Sequence, residues 1–302
     1  MEETMRQIVF EESLNGITID RIIRDYEYNM PTKHFHDEYE VYYLLEGERY
    51  YFIEHQSYLV KKGSLVFVNR GQIHKTGLAG SSYHDRILIE LKEEPFASFF
   101  SFLGDLSLKD FFSKHYGVLE LEEKDQRRIE RLLTSIATEI QNKPIGFELS
   151  VMMKLAKLLI FSIRCKADAN TFIPATTATT AKHRKVDEVA SYIVNNCTKP
   201  ISLDALSKHF FVSKCYLSRI FKEVTGFTVN EYINIHRVQK AQHLLLYSES
   251  NISEISDQLG FESITYFERV FKKYTESSPL KYRKQNKKEI QPIRTKKAEL
   301  VE

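Results

Sequence analysis

Between Ile201 and Arg283 the chain writes one pattern twice, and this duplication constrains its fold more than any other feature. ISLDALSKHFFVSKCYLSRIFKEVTGFTVNEY (Ile201 to Tyr232) lies over ISEISDQLGFESITYFERVFKKYTESSPLKY (Ile252 to Tyr282). Leu206 matches Ile255, Ser207 matches Ser256 and Phe210 matches Leu259, at an offset of 49. Beyond the turn the offset is 50, pairing Leu217 with Phe267, Arg219 with Arg269, Phe221 with Phe271, Lys222 with Lys272, Thr225 with Thr275 and Tyr232 with Tyr282. The added residue falls at a turn, where a loop tolerates it. Apolar positions at helical spacing, repeated with one Arg and one Lys on the opposite side, imply two copies of one helix-turn-helix unit.

Each predicted boundary has its own chemistry. Ser202 caps a helix over Leu203 to Phe210, and Ser213 caps Lys214 to Val224, which Gly226 stops. Thr228-x-x-Glu231 is a capping box opening a long helix to about Tyr247. Asn251 precedes Ile252 to Leu259, Gly260 makes the turn, and Ser263 caps Ile264 to Tyr274. Ser278-Pro279 opens a last short helix. The long helix, about Asn230 to Tyr247, should span roughly 27 Å. With the width of its flanking units, that sets the two second helices about one DNA turn, ~34 Å, apart.

Charge agrees with a polyanion partner for this part. Residues 181–302 hold 21 Lys and Arg against 14 Asp and Glu, whereas residues 1–180 hold 22 against 27. Cys165, Cys197 and Cys215 are odd in number and widely spaced, which argues against a disulfide framework. MEETMRQIVFEES is acidic where a signal peptide needs a basic start, and the most apolar helical stretch, Ser150 to Ile163, is broken by Lys154 and Lys157. A cytoplasmic protein is the expectation.

Residues 8–92 read as short strands: Ile17 to Ile19, Val41 to Leu45, Tyr50 to Ile53, Ser64 to Val68 and Arg86 to Leu91. Glu46-Gly47-Glu48 and Lys61-Lys62-Gly63 are the expected turns between them, and the spacing predicts an antiparallel sandwich or barrel. His34 and His36 share one face of a strand, Glu40 and Tyr42 share that parity, and His74 follows Gly63, Asn69 and Gly71. This spacing resembles the two motifs of the cupin barrel, with Asn69 where that family usually has Pro. The resemblance implies a possible divalent metal site from His34, His36, Glu40 and His74, ligands that suit Zn, Fe, Mn or Ni. The alternative use of His34, His36, Glu40, Tyr42 and His74 is to bind a small-molecule effector such as a sugar or organic acid.

From Pro95 to Lys166 the period becomes helical, with Pro144 and Gly146 dividing an antiparallel helix pair that covers the barrel or forms a dimer interface. Asp168 to Lys182, rich in Thr and Ala, reads as a linker. The fold class is therefore α+β. Residues 1–167 form a cupin-like effector and dimerisation domain (barrel about 8–92, helices about 95–166), 168–183 a linker, 184–284 an all-α DNA-binding domain and 285–302 a basic tail.

Tyr216 to Arg283, densest at GFESITYFERVFKK with SP and YR after it, resembles the DNA-binding domain of the arabinose-regulator (AraC/XylS) family of bacterial transcription regulators. HFHDEYE extends the likeness to that family's effector-binding half. Departures are Cys215, Ser256 where Ala is common, and Glu276 where Gly is usual; Glu276 could lengthen or tilt the end of its helix. The resemblance implies that Cys215, Ser218, Arg219, Ile264, Thr265, Glu268 and Arg269 face bases. By their own chemistry, Arg219 and Arg269 can grip guanine, Glu268 can accept from cytosine N4, and Ile264 can pack on a thymine methyl. Ser213, Lys214, Lys222, Ser263, Lys272 and Lys273 suit phosphates. Leu206, Leu217, Ile220, Phe221, Ile255, Phe267, Val270 and Phe271 belong to the core. The expected protein is no enzyme but a homodimeric transcriptional activator that binds promoter DNA and recruits RNA polymerase in response to an effector. Two rival readings, a metal-dependent cupin enzyme and a ligand-free dimerisation barrel, leave the C-terminal repeat unexplained.

Overall fold

The computed structural model describes residues 5–28, 30, 36–101, 107–167 and 179–286. It divides into two compact units, residues 1–190 with 220–226, and residues 191–219 with 227–302.

The first unit is built on eight antiparallel strands: β1 (Met5–Leu14), β2 (Ile17–Asp25), β3 (Tyr39–Ile53), β4 (Gln56–Lys61), β5 (Ser64–Val68), β6 (His74–Leu78), β7 (Tyr83–Leu91) and β8 (Gly117–Glu120). Their order is β1-β2-β7-β3-β5-β8, with β4 and β6 also paired to β3. The long strand β3 organises the sheet. Its first part pairs with β5 and β7, and its last part with β4 and β6.

Glu46-Gly47-Glu48, expected as a turn, lies inside this continuous strand. The register against β7 shifts between Leu44 and Glu46, so the feature is a bulge. Gly47 sits there at φ +94°, and a Cβ on it would stand 2.4 Å from the Tyr83 carbonyl oxygen. An extra residue in one strand reverses which side chains face which way. Before the bulge Tyr42 and Leu44 point into the barrel while Tyr39, Val41 and Tyr43 face the helical layer; after it Tyr51 and Ile53 point inward. The Lys61-Lys62-Gly63 turn joins β4 to β5 as expected, with Gly63 at φ +82°.

Four helices follow on this unit, α1 (Glu94–Ser101), α2 (Leu108–Lys114), α3 (Glu123–Asn142) and α4 (Phe147–Ala167), and the stretch expected to be wholly helical is interrupted by β8, which lies between α2 and α3 and pairs with β5. Ile129, Leu133, Ile136 and Ile140 of α3, with Val151, Leu155, Leu158 and Leu159 of α4, share one core with the outer face of the sheet. The pair is antiparallel, because Glu139 bonds Ser150 and Lys154 while Arg128 stacks on Phe161, 5.1 Å from the ring centroid.

The remaining helices are α5 (Ala181–Asn196), α6 (Leu203–His209), α7 (Lys214–Thr225), α8 (Val229–Tyr247), α9 (Ile252–Gln258), α10 (Ile264–Thr275) and α11 (Pro279–Asn286). Helix α5 begins at Ala181, inside the stretch expected to be linker; residues 168–178 of that linker and the tail from 287 lie outside the described residues. Among the described residues no helix is long and apolar enough to cross a membrane.

The sequence repeat reappears bond for bond. Ser202 Oγ accepts from Ala205 N at 3.1 Å and Asn251 Oδ1 from Glu254 N at 2.9 Å, opening α6 and α9. In the turns, Val212 N donates to Ser207 O at 3.0 Å and Phe261 N to Ser256 O at 3.1 Å. Ser213 and Ser263 then cap α7 and α10, accepting from Tyr216 N at 3.3 Å and Tyr266 N at 3.2 Å. At the far ends Thr225 and Thr275 donate back to Phe221 O and Phe271 O at 2.7 and 2.9 Å. Each copy also has two left-handed positions, Phe211 and Gly226 in the first and Gly260 and Glu276 in the second. What recurs is the backbone conformation; the glycine occupies a different one of the two positions in each copy.

Glu276 therefore neither lengthens nor tilts α10. The helix stops at Thr275, and Glu276 takes φ +57° with its N–H bonded to Lys272 O. A left-handed residue with a Cβ costs about 1 kcal/mol relative to glycine. Glu276→Gly should accordingly raise the stability of this unit by about 1 kcal/mol, read as a higher urea midpoint at unchanged m-value; an unchanged midpoint would show that the cap is unstrained.

Candidate functional site

The repeat exposes one face of each second helix. On α7 the side chains of Lys214, Cys215, Arg219 and Lys222 are exposed and Ser218 is half-buried, while Leu217, Ile220 and Phe221 on the other face are buried. On α10, Ile264, Thr265, Glu268, Arg269, Lys272 and Lys273 are exposed, opposite buried Phe267, Val270 and Phe271. All thirteen residues expected to touch DNA thus lie on or beside the outward faces, Ser213 and Ser263 at the helix N-termini. Among the described residues, two of these lysines face acidic partners. Lys214 pairs with Asp204, and Lys273 Nζ lies 4.0 Å from Glu231 Oε1.

Arg219 and Arg269 share a support that spacing did not reveal. Each guanidinium stands over the ring of the tyrosine one turn earlier, Tyr216 at 5.8 Å and Tyr266 at 5.2 Å. Tyr266 is itself held by Asn234 of α8, whose Nδ2 donates to its hydroxyl at 2.9 Å. A stacked guanidinium loses less conformational freedom when it engages a base edge. Helix α8, at 19 residues, is about 28 Å long.

The barrel holds a second cluster. Glu40 is buried at the start of β3, with His74 Nε2 3.3 Å and His36 Nε2 3.6 Å from its Oε2, and Tyr51 donates to its Oε1. Burial alone would raise the Glu40 carboxyl, but His74, His36 and Tyr51 together hold it well below the usual carboxylate range. Burial opposes a charge on His36 too, yet Glu40, Glu90 and Glu38 raise it above its ordinary value. Ligand atoms of His36, Glu40 and His74 lie within 4.8 Å of one another, which fits three ligands around one ion. His74 Nδ1 lies 2.9 Å from Gln72 O, an outer bond that leaves Nε2 facing the cluster. His34 lies outside the described residues. The same geometry satisfies itself as an ion-paired network, so the arrangement admits a metal without requiring one.

Farther into the barrel, Glu40, Tyr42 and Tyr51 line a cavity with Arg24, Arg49 and Arg86. Of the expected effector residues, Glu40 and Tyr42 line it; the three arginines and His84 were not expected. The overlooked signal was Gly47: a glycine inside a strand marks a bulge, and the bulge turns Arg49 inward. Arg86 pairs with Asp20. The His84 imidazole is pushed down to about 4, first by burial and further by Arg49, Arg24 and Arg86. A larger cavity lies elsewhere, an open groove of about 870 Å³ on α3 and α4.

A barrel carrying a helical layer, and a duplicated helix-turn-helix with basic outward faces, have the make-up of a DNA-binding regulator with a ligand-binding domain. Residues 16–137 match the family model of the AraC-like ligand binding domain, and residues 206–285 match that of a helix-turn-helix domain, together more than half of the chain. The chain belongs to the AraC family of transcriptional regulators. It is similar to the HTH-type transcriptional regulator YdeC of Bacillus subtilis, 26% identical over 84% of this chain and 86% of that protein. The HTH-type transcriptional activator RhaR of Salmonella schwarzengrund is 34% identical over 41% of this chain and 43% of its own length. Among solved structures, an apo ToxT variant from Vibrio cholerae is 17% identical, with 90% of this chain and 98% of that chain covered and a TM-score of 0.39.

Proposed function

We propose that the chain is a cytoplasmic, dimeric activator whose barrel binds a small-molecule effector and whose α7 and α10 read promoter DNA. The observation that carries the DNA assignment is the repeated pair Arg219 and Arg269, each exposed and stacked on a tyrosine at the same place in its copy. Arg269 and Arg219 bond guanine edges, Glu268 accepts from cytosine, and Ile264, 42% exposed, packs on a thymine methyl. The serine-capped helix N-termini and Lys222 and Lys272 hold phosphates. Because Cys215 and Ser218 differ in kind from Thr265 and Glu268, the two copies read different bases and one chain's site is directional.

Arg269→Ala should weaken binding to a duplex selected from a random pool by about 1 to 3 kcal/mol, roughly 5- to 150-fold, and relax preference at one base pair. Fluorescence anisotropy across single-base variants of that duplex measures both; unchanged affinity and preference would remove Arg269 from the interface.

The dimer reading rests on the α3–α4 groove, where Leu149 and Met153 are 59% and 60% exposed between Lys154 and Arg131. An apolar strip on a helix pair that already covers its own barrel is suited to a second copy. Met153→Asp should shift sedimentation velocity from dimer to monomer, and a wild-type chain that sediments as a monomer at micromolar concentration would end this reading. Effector binding then changes how the dimer engages DNA and recruits RNA polymerase. A divalent ion held by His36, Glu40 and His74 is a second reading of the barrel, favoured by their mutual approach. Metal content of protein purified without chelator tests it, with stoichiometric ion lost on His74→Ala as the supporting result.

A further inference from the structure

The barrel cavity contains more positive charge than its carboxylates answer. Arg49 is fully buried; one nitrogen donates to the Tyr28 carbonyl, and among the described residues Nε and Nη1 have no hydrogen-bond partner. Arg24, 7% exposed, also has an Nε without a partner among these residues, and its guanidinium lies 4.1 Å from the centre of the Tyr28 ring. The nearby acids are committed elsewhere. Asp20 pairs with Arg86, Asp85 with Arg21 through two bonds, and Glu40 with His36, His74 and Tyr51. His84 adds no charge at neutral pH.

Guanidinium groups do not escape burial by losing a proton, so the desolvated pair needs an anion supplied from outside the described residues. The cavity they line with Tyr42 and Thr76 measures about 40 Å³. One water needs roughly 10–15 Å³ on the same measure, so there is room for a group of about three waters' bulk, the size of a carboxylate or phosphate and not of a sugar ring. The Tyr42 hydroxyl, which can donate a hydrogen bond, lines the same cavity beside them.

We propose that Arg24 and Arg49 form a seat for the anionic group of the effector, a carboxylate or a phosphate ester, entering the barrel interior with Tyr42 as a further donor. This deepens the effector reading of the barrel and rests on it. It separates the two effector classes that the sequence left open, choosing an acid over a neutral sugar. Two guanidinium forks facing one cavity match the paired oxygens of either anion, and ligand binding relieves the mutual repulsion of the pair.

The test is thermal melting of the full chain with acetate, malate, inorganic phosphate, glucose 6-phosphate and glucose at matched ionic strength, followed by titration calorimetry of any stabilising compound. At least one anion should raise the melting temperature saturably, and glucose should not. A response to the carboxylates alone or to the phosphates alone names the source. Arg49→Met should abolish the response. Arg24→Met, which leaves the Tyr28 carbonyl bonded, should weaken it at least tenfold and serves if the first variant does not fold. The seat is refuted by no response to any anion, or by an anion response of wild-type size in a folded variant. A saturable response to glucose alone, with a change in affinity for the selected duplex, refutes the anion seat while upholding the effector reading. Anion binding that leaves affinity for that duplex unchanged upholds the seat and refutes its role in regulation.

Discussion

Gly260→Ala should lower the stability of the C-terminal unit by about 2 to 5 kcal/mol and abolish DNA binding with it. Gly260 follows α9 at φ +72°, and a Cβ placed there would stand 2.4 Å from the backbone oxygen of Thr198 and 3.3 Å from Arg237 Nη2. The left-handed conformation disfavours any L side chain by roughly 1–2 kcal/mol. The overlap with a backbone atom adds about 1–3 kcal/mol, because a main-chain carbonyl cannot rotate aside as a flexible side chain would. The equivalent position in the first copy shows that conformation alone is tolerable: Phe211 adopts φ +54° with its ring 95% exposed. The approach of the 197–199 segment makes glycine necessary at 260. Urea unfolding followed by circular dichroism measures the loss, and a variant within 0.5 kcal/mol of wild type, roughly the scatter of surface substitutions, would show that this segment can yield.

The second large effect should come from Arg237→Met, at about 2 to 4 kcal/mol. Arg237 is buried in α8, donating from Nε to Cys197 O at 2.6 Å and from Nη2 to Lys199 O at 3.1 Å, with Phe261 5.4 Å from its guanidinium. Burial holds its pKa below the usual arginine value, so the site carries a desolvation cost that these bonds offset. Methionine fills much of the space and removes that cost, but leaves two carbonyls short of their donors at about 1–3 kcal/mol each. Since Gly260 and Arg237 act on the same segment, the double variant should be less destabilised than the sum of the singles. Strict additivity would show that the two positions do not communicate through it.

Much of the site was legible in the chain because its determinants are local. A helix cap needs one side chain and one amide three residues on, and Ser202, Ser213, Thr228, Asn251 and Ser263 all cap where their types and positions indicate. An apolar stripe at helical spacing must face inward, so the outward residues of α7 and α10 follow from the same pattern. Burial of Leu206, Leu217, Ile220, Phe221, Ile255, Phe267, Val270 and Phe271 needs no further information. The repeat multiplied this evidence, because an alignment of the chain with itself distinguishes scaffold from reading positions.

The duplicated helix-turn-helix, its caps and its outward basic faces were thus determined by sequence alone, through periodicities of a few residues. Tertiary structure decided what depends on distant neighbours. Parity counted forward from His36, Glu40 and Tyr42 would leave Arg49 outside the barrel, but the bulge at Leu44 to Glu46 reverses it and brings Arg49 to the cavity that Arg24 and Arg86 reach from other strands. The need for glycine at 260 likewise comes from a carbonyl at Thr198, 62 residues away in the chain, and not from the turn it sits in. Strand register and close packing bring together groups that no short spacing relates, and the charge inside the barrel is set by that assembly.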